Sequence, residues 1–310
     1  MKASKRRELK RNLIILGIAV CFTAAFIISF GDNERIPNWD GVFEFFGIAP
    51  ETEENDDYIR LIDVGQGDCI LIRSNGDTAV IDTGTEDSAD RICNEIKRCG
   101  DGDIDALMET HLHMDHVGGL ETVMNKFKVN NLILPDLNTD SEGFRAAKTA
   151  KNTVVGADGA VYTAVQGMNL NIGDFEITVL AVYEQLDNEN DRSIISMIEI
   201  DGIKFLMMGD AEAPAEKHLM DDNIDFDCDV LKVGHHGSST STTMKFLKKA
   251  SPKYAVISVG ENNPYSHPSE QTLSLLEDVG AEIFRTDQDG DITFRIADKQ
   301  LSIELENYNS

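Results

Sequence analysis

Basic residues are scarce in this chain of 310 residues: 28 Lys and Arg stand against 55 Asp and Glu, giving a net charge of −27. The shortage is greater over most of the chain, because residues 1–30 carry six of the bases and only one of the acids. Subtracting them leaves 22 bases and 54 acids, a charge of −32, on residues 31–310. A surface this acidic repels polyanions at long range. Any nucleic-acid ligand must therefore bind against that repulsion.

Cysteine is also sparse, and its spacing excludes a disulfide framework. The five cysteines form no C-x-x-C pair;. Cys93 and Cys99 fall six positions apart on one expected helix, on nearly opposite faces, so a bond between them is not expected. No repeat of fixed period is present either. We expect buried free thiols within a globular domain that can bury a full core.

One long apolar run is present, from Leu13 to Phe30, with no charge and directly after the basic cluster. A helix of this length is about 27 Å long, just enough for the hydrocarbon core of a bilayer. A cleaved signal peptide is the alternative, but its apolar region should be shorter and end in a small-x-small site. The basic cluster places the N-terminus in the cytoplasm and the acidic body outside.

The chain is thus predicted to contain four regions. They are a cytoplasmic basic segment (1–12), a transmembrane signal anchor (13–30), an acidic linker (31–57) and a folded domain (58–310). In the folded domain strands alternate with helices, which fits two mixed sheets with helices outside.

Three local patterns in the folded domain predict specific structures. Ser74-Asn75-Gly76-Asp77 predicts a hairpin;. The segment Ser88–Cys99 predicts a helix closed by Gly100;. Asp287–Asp291 lacks the spacing and distal glutamate of an EF-hand, so an Asp-Gly hairpin turn is expected there rather than a calcium loop;.

Six of the seven histidines fall in three short motifs. The first motif is Thr110-His111-Leu-His113-Met-Asp115-His116-Val-Gly118-Gly119, directly after an expected strand. His111 and His113 point the same way, while Asp115 and His116 follow on a turn. Three imidazoles and a carboxylate within six residues predict a metal site.

This H-x-H-x-D-H-x-G-G run resembles the signature of the metallo-β-lactamase superfamily, and the resemblance extends from about Tyr58 to Asn309. It implies an α/β fold, an αβ/βα four-layer sandwich, with the site on the open edge between its two sheets. It also implies that Asp82 orients a ligand histidine and that Asp210 bridges two metal ions. Lys232-Val-Gly-His235-His236-Gly237-Ser238 would supply one more imidazole.

The chain departs from the family pattern at one place. Many members carry a further metal-binding histidine before the bridging aspartate, but no histidine occurs between Val117 and Gly209, and Asn190-Asp191-Arg192-Ser193 stands where it would be expected. The implied ligands are His111, His113 and Asp210 for one ion, and Asp115, His116, Asp210 and His236 for the other. The first ion should be held more weakly. Mixed histidine and carboxylate ligation makes Zn²⁺ the expected metal, with Mn²⁺ the alternative.

A narrower resemblance rests on three other segments, which are Asp63-Val-Gly-Gln-Gly-Asp68, His235-His236-Gly-Ser-Ser239 and Asn263-Pro-Tyr265-Ser-His267-Pro268-Ser269. Together they look like the metallo-β-lactamase-like domain of ComEC-type DNA-uptake proteins and its free-standing relatives. The general arrangement also resembles phosphorylcholine esterases. The resemblance adds Asp68, Ser238 and Tyr265 as positioning or substrate-binding groups.

The expected mechanism follows from charge. Two divalent ions about 3.5–4 Å apart would hold a hydroxide nucleophile between them. Asp115 would orient the nucleophile, while His235 and His267 would donate to an oxyanion or to the leaving group. The sequence leaves the roles of His235 and His236 interchangeable.

We therefore expect a membrane-anchored, extracellular metal-dependent hydrolase, a ComEC-like phosphodiesterase or nuclease acting on single-stranded DNA or another phosphodiester. One alternative is a hydrolase of a small or cell-envelope ester or amide, which suits the acidic charge better. The other is a non-catalytic, metal-stabilised binding module. The intact ligand set argues against the latter.

Overall fold

The computed structural model describes residues 57–100, 102–136 and 141–306. The expected basic segment, the anchor at residues 13–30 and all but the last residue of the linker lie outside the described residues. Within the described part of the chain, no helix is long and apolar enough to cross a membrane.

The first sheet has eight strands. They are β1 (Asp57–Leu61), β2 (Ile70–Ser74), β3 (Asp77–Ile81), β4 (Ile104–Met108), β5 (Val129–Leu134), β6 (Ala160–Thr163), β14 (Asp291–Ala297) and β15 (Gln300–Glu306). Their order is β15-β14-β1-β2-β3-β4-β5-β6. Strands β3 to β6 are parallel, and the other pairs are antiparallel. The expected hairpin is confirmed, since Ser74 pairs with Asp77.

The second sheet has seven strands. They are β7 (Asn169–Ile172), β8 (Phe175–Ala181), β9 (Ile195–Ile200), β10 (Ile203–Met207), β11 (Val230–Lys232), β12 (Tyr254–Ile257) and β13 (Glu282–Arg285). Their order is β13-β12-β11-β10-β9-β8-β7, with β10 to β13 parallel and the rest antiparallel. The prediction of two mixed sheets is confirmed.

Eight helices and two 3₁₀ turns connect the strands in the described residues. They are α1 (Ala89–Arg98), α2 (Met114–Val117), α3 (Leu120–Lys126), α4 (Glu142–Gly156), α5 (Ala213–Asp221), α6 (Met244–Ala250), α7 (Glu270–Asp278), α8 (Thr286–Asp289), η1 (Asn190–Arg192) and η2 (Gly234–Gly237). Helix α1 begins after Ser88, and Gly100 follows its end with a φ of 126°. The structure thus confirms the expected helix and its glycine stop.

Three apolar layers separate the helices and sheets. Ala79 and Ile81 of β3 face the core between the two sheets, while Val80 faces α1 and α3 on the outside. This alternation follows from the two-residue period of a strand, and both faces are apolar because both are covered. On the second sheet, Leu231 packs against α5 and α6. The result is the four-layer α/β arrangement, whose two sheets meet through contacts such as Phe205 against Phe294, at 5.7 Å between ring centroids.

The expectation of a hairpin turn at Asp287–Asp291 is wrong. The segment forms α8, which carries the chain from β13 in the second sheet to β14 in the first. A hairpin would pair these two strands, but they belong to different sheets. Asp289 accepts a hydrogen bond from the backbone nitrogen of Arg285 at 2.8 Å, and Asp287 pairs with its guanidinium.

Candidate metal centre

The candidate site lies where parallel strands of both sheets end. Asp82 follows β3 and the first histidine motif follows β4, while Asp210 follows β10 and the tandem histidines follow β11. The carboxyl ends of parallel strands are the common location of binding sites in α/β folds. The topology therefore brings together residues that lie far apart in sequence.

Asp210 is the centre of the site. Its Oδ2 lies 3.3 Å from His116 Nε2, 3.5 Å from His236 Nε2 and 3.7 Å from His111 Nε2. All four side chains are almost completely buried. Three imidazole nitrogens from two sheets thus converge on a single carboxylate oxygen.

Two groups of metal-ligating atoms share Asp210. One contains Asp115, His116, Asp210 and His236, and the other contains His111, His113 and Asp210, with the atoms of each group within 4.8 Å of one another. The structure thus brings together the residues that the sequence assigned to two ions. We name them the buried group and the open group, because His113 is 43% exposed.

The donor atoms fit a divalent cation. His116 Nε2, His236 Nε2 and Asp210 Oδ1 are buried, with no hydrogen-bond partner among the described residues. Such atoms are costly to bury unless they are paired or coordinate a metal. Imidazole nitrogens together with carboxylate oxygens are the donors that Zn²⁺ takes in proteins.

The outward nitrogens of three imidazoles are held by neighbouring oxygens. His116 Nδ1 lies 2.8 Å from Asp82 Oδ2, His236 Nδ1 lies 2.9 Å from the carbonyl oxygen of Ser258, and His111 Nδ1 lies 3.2 Å from Thr110 Oγ1. A proton held on Nδ1 leaves Nε2 free to face Asp210. Outer partners of this kind fix the tautomer and the ring orientation of ligand histidines.

His113 has the opposite orientation. Its Nδ1 lies 3.1 Å from His111 Nε2, and its Nε2 lies 3.8 Å from the Glu189 carboxylate. Nδ1 is therefore the atom that His113 turns to the open group. Its outer partner, Glu189, is more distant than the partners of the three buried histidines.

The charges of the site are strongly coupled. Burial lowers the pKa of His236, but Asp210, Asp115 and Asp68 outweigh it and raise the pKa to about 10. The pKa of His116 is also well above its ordinary value, because Asp210 and Asp82 outweigh burial.

The carboxylates respond in the opposite direction. Burial raises the pKa of Asp115, but His236 and His116 outweigh it and lower the pKa to about 2. The same histidines hold the pKa of Asp210 well below its ordinary value against the effect of burial. A bound cation must displace the imidazole protons, so metal binding and proton release are linked.

Asp82 lies next to His116, the place in which the family resemblance predicted a positioning role. Besides the contact to His116, it accepts hydrogen bonds from the backbone nitrogen of Thr110 at 2.7 Å and from its hydroxyl at 2.8 Å. Asp82 has a φ of 60°, a conformation that Asn and Asp tolerate better than most residues;. It thereby ties the end of β3 to the start of the histidine motif.

The Gly-Gln-Gly-Asp68 loop packs beneath the first motif. The backbone nitrogen of Asp68 donates to the carbonyl oxygen of Asp115 at 3.2 Å. A Cβ at Gly67 would overlap that same oxygen, so only glycine allows this approach;. The loop therefore supports the backbone that carries Asp115.

Lys232 belongs to the site, although no role for it was predicted from the sequence. It is 1% exposed, and its Nζ lies 2.7 Å from Asp68 Oδ2. Asp68 Oδ1 in turn lies 3.5 Å from His236 Nδ1. Burial raises the pKa of Asp68, but Lys232 and His236 outweigh it and hold the pKa below its ordinary value. The only sequence signal was the position of Lys232 three residues before the tandem histidines.

The rings of Tyr265 and His267 are in contact at the edge of the site. The His267 ring lies edge-on to His235 at 5.4 Å between centroids, and Tyr265 stacks on His267 at 5.7 Å. Tyr265 is 64% exposed, the largest value among the exposed large hydrophobic side chains of the described residues. Burial, with help from the charges of His235 and His236, lowers the pKa of His267. These ring contacts extend from the exposed Tyr265 to His235, which lies beside the candidate metal ligands.

Ser238, which was predicted to belong to the site, and His218 do not face the candidate metal ligands. The Ser238 hydroxyl is paired with that of Thr240 at 2.9 Å, so it supports the turn after His236. His218, the seventh histidine, lies on α5 and packs against Tyr183, with 5.2 Å between ring centroids.

None of the four cysteines among the described residues belongs to a group of metal-ligating side chains. Cys69, Cys93, Cys99 and Cys228 are buried free thiols, as the sequence predicted. Cys21 lies outside the described residues.

The family is shown by comparison with known proteins. Residues 62–261 match the family model described as the metallo-beta-lactamase superfamily, and the chain belongs to this superfamily. Its members are generally hydrolases, and the fold binds divalent metals, often two.

Curated relatives confirm the narrower resemblance to ComEC-type domains. ComE operon protein 3 of Bacillus subtilis is 30% identical over 95% of this chain and 37% of its own length. Competence protein ComA of Neisseria gonorrhoeae is 29% identical over 91% of this chain and 38% of its own length. The chain thus spans little more than a third of these relatives.

Solved structures confirm the fold. The metallo-beta-lactamase fold protein YhfI from Bacillus subtilis is 11% identical, with a TM-score of 0.52 over 77% of this chain and 99% of its own. The diiron beta-hydroxylase CmlA from Streptomyces venezuelae is 16% identical, with a TM-score of 0.52 over 83% of this chain and 59% of its own.

Proposed function

We infer that this chain is a membrane-anchored, extracytoplasmic phosphodiesterase of the ComEC-like type, acting on DNA strands. The observation that carries the proposal is the pair of ligand groups sharing Asp210, in a chain whose relatives include a competence protein. The buried group would hold one divalent ion and the open group the other. When bound, the ions supply Lewis-acid chemistry and make water nucleophilic at neutral pH.

Asp115 orients the attacking water. Its carboxylate is 33% exposed, so one side of it faces the open part of the site. With a pKa of about 2 it stays ionised at neutral pH and accepts a hydrogen bond from water. Its contact with His236, at 3.3 Å, fixes the direction from which it does so.

His267 acts on the substrate from the rim. Burial lowers its pKa, so the ring is neutral at neutral pH and can donate one N–H to a phosphoryl oxygen;. The backbone nitrogen of His267 and its carbonyl oxygen are both held by the side chain of Asn263, at 3.0 and 2.6 Å. The backbone that carries the imidazole is therefore held in place before the substrate arrives.

Tyr265 offers a place for a nucleobase. An exposed aromatic face beside a phosphoryl-transfer site can stack on a base without reading its sequence, at about 1–3 kcal/mol per base. This contact would help a DNA strand to bind a body of charge −32. Two divalent ions would add positive charge at the point where the phosphate binds.

The second candidate is a small or cell-envelope phosphodiester, as in phosphorylcholine esterases. The acidic charge favours it, because a small substrate meets less long-range repulsion than a polyanion does;. Membrane anchoring belongs to the proposal in either case and rests on the sequence of residues 1–30;. Protease added to intact cells should then digest the folded domain.

The activity test uses the full chain in detergent, stripped of metal and reloaded with Zn²⁺ or Mn²⁺. The substrates are bis-p-nitrophenyl phosphate and single-stranded DNA. His113→Ala is the inactive variant, and His218→Ala is a control of the same residue type outside the site.

Cleavage of both substrates, lost in His113→Ala and kept in His218→Ala, supports the nuclease proposal. Cleavage of bis-p-nitrophenyl phosphate alone favours the second candidate, a hydrolase of a small or cell-envelope phosphodiester. A metal-loaded protein that cleaves neither substrate contradicts the phosphodiesterase proposal and favours a metal-stabilised binding module.

A further inference from the structure

A buried ion pair connects the two sheets next to the buried group. Lys232 is the last residue of β11, in the middle of the second sheet, and its Nζ lies 2.7 Å from Asp68 Oδ2. Asp68 lies between β1 and β2 of the first sheet. Both side chains are at most 2% exposed. The pair therefore crosses the interior of the fold from one sheet to the other.

The strand period explains why position 232 faces inward, but it does not explain a lysine there. Val230 faces the core between the sheets and Leu231 faces the outer helices, so the next side chain faces inward again;. Burying an ion pair has a desolvation cost that apolar side chains of similar volume avoid, and such replacements often leave a protein equally or more stable. Stability alone does not account for this pair.

Asp68 connects the pair to the first histidine motif. Its backbone nitrogen donates to the carbonyl oxygen of Asp115 at 3.2 Å, and its own carbonyl oxygen accepts from the backbone nitrogen of Gly84 at 2.9 Å. The close approach of Gly67 to the same Asp115 oxygen leaves no room for a Cβ. A displacement of Asp68 would therefore displace the backbone that carries Asp115.

Lys232 connects the pair to the tandem histidines. Its Nζ also donates to the carbonyl oxygen of Val233 at 3.0 Å, directly before the turn that carries them. The other carboxylate oxygen of Asp68, Oδ1, lies 3.5 Å from His236 Nδ1 and has no hydrogen-bond partner among the described residues. The carboxylate is thus held through Oδ2, by Lys232.

The buried group depends on the distance between these two motifs. Asp115 comes from the first sheet and His236 from the second, and Asp115 Oδ2 lies 3.3 Å from His236 Nε2. Two donors on one ion, each at about 2.1 Å, are separated by no more than about 4.2 Å. A relative shift of about 1 Å would therefore take the two atoms out of reach of a common ion.

We propose that this buried ion pair is a positioning pair of the metal centre, which sets the distance between Asp115 and His236. Asp68 and Lys232 belong to neither of the ligand groups that share Asp210, so they act through the ligands. The inference rests on the metal-binding part of the proposed function and is independent of the substrate.

The test measures Zn²⁺ affinity and stoichiometry for the full chain, by equilibrium dialysis with elemental analysis. In Lys232→Met we expect the affinity for the tighter ion to fall about tenfold, as with loss of an outer partner, and that for the weaker ion to stay within about threefold. Arg60→Met is the matched control, because it breaks another buried ion pair, that of Arg60 with Glu95 at 3.0 Å, which has no residue in either ligand group. It should leave both affinities within about twofold.

A double variant separates positioning from stability. Asp68→Leu with Lys232→Met replaces the ion pair by apolar side chains, so the unfolding midpoint of the metal-free protein should return at least to the wild-type value. The tighter ion should still bind about tenfold more weakly than in the wild type. This variant serves as the test where Lys232→Met alone does not fold.

A spectroscopic measurement uses Co²⁺ in place of Zn²⁺. The absorption of the first equivalent should change in Lys232→Met and in the double variant, because Asp115 and His236 are displaced. It should not change in Arg60→Met, in which only stability is affected.

Wild-type affinity for the tighter ion in the double variant would overturn the proposal, because the pair would then only stabilise the fold. An equal loss of affinity in Arg60→Met would overturn it as well. A wild-type chain that binds two ions but cleaves neither phosphodiester contradicts the proposed function and leaves this inference intact.

Discussion

The two ligand groups that share Asp210 differ in burial and in outer support. In the buried group, His116 and His236 are at most 1% exposed, and each has an outer partner within 2.9 Å. In the open group, His113 is 43% exposed, and its partner Glu189 lies 3.8 Å away. The histidines of one group are buried and held in place, while His113 of the other group is exposed and has only a distant partner. The same carboxylate should therefore serve one tightly held ion and one weakly held ion.

The largest effect is expected from removing what the two groups share. Asp210→Asn should abolish binding of both ions and reduce turnover to background. In the metal-free protein it also leaves protonated His116 and His236 without their main counter-charge, which should lower the free energy of unfolding by about 3–5 kcal/mol. Elemental analysis and urea unfolding measure the two effects. A variant that keeps one ion at full occupancy would show that Asp210 does not bridge the groups.

A smaller loss is expected from the support beneath the buried group. Lys232→Met leaves Asp68 buried without its nearest counter-charge, so the free energy of unfolding should fall by about 3 kcal/mol;. Lys204→Met is the matched control, because the Lys204 pairs with Asp225 and Asp227 lie at the surface and should contribute less than about 1 kcal/mol;. Urea unfolding measures the free energy of unfolding of both variants. Equal losses would mean that the Asp68–Lys232 pair has no special part in the fold.

The outer partners of the two groups should also differ in how much they contribute to metal affinity. Asp82→Asn keeps the positive φ but loses a charge beside His116, so the tighter ion should bind about 10- to 100-fold more weakly;. Glu189→Gln should weaken the other ion by less than about threefold, because its contact with His113 is long and exposed;. A Zn²⁺ titration of each variant measures the dissociation constants of both ions. A larger loss of affinity in Glu189→Gln than in Asp82→Asn would contradict the predicted difference between the groups.

A dependence on pH follows from the raised pKa of His236. Since its folded-state pKa, about 10, lies above the ordinary 6.5, its contribution to the stability of the metal-free protein is present below pH 6.5 and is lost as pH rises towards 10. The loss is at most about 1.4 kcal/mol per pH unit for one proton. Metal affinity should rise over the same window, because protons compete less. Metal-free unfolding at pH 7, 8 and 9 tests the sign, and a stability that increases with pH would contradict it.

Much of the site could be predicted because its residues lie in compact motifs. His111, His113, Asp115 and His116 lie within six residues, and their type alone indicated a metal. The strands before them are apolar runs buried on both faces, which gave the two sheets. What the sequence hides are pairs formed across the fold, such as Asp68 with Lys232 and Glu212 with His235.

Some elements carry little signal in the sequence because they are short and polar. Strands β6 and β7, with sequences Ala-Val-Tyr-Thr and Asn-Leu-Asn-Ile, lie at sheet edges, where one side of the strand needs no apolar cover. Helix α4 runs as far as Gly156, and Val154 near its end is buried against the first sheet. In both cases the tertiary context decided what local propensity could not.

The most direct test of the two-group account is a Zn²⁺ titration of the metal-free full chain, compared with His113→Ala. The account predicts two ions per chain with dissociation constants at least about tenfold apart, and loss of the weaker ion alone in His113→Ala. A single ion per chain, two ions of equal affinity, or loss of the tighter ion in that variant would contradict it.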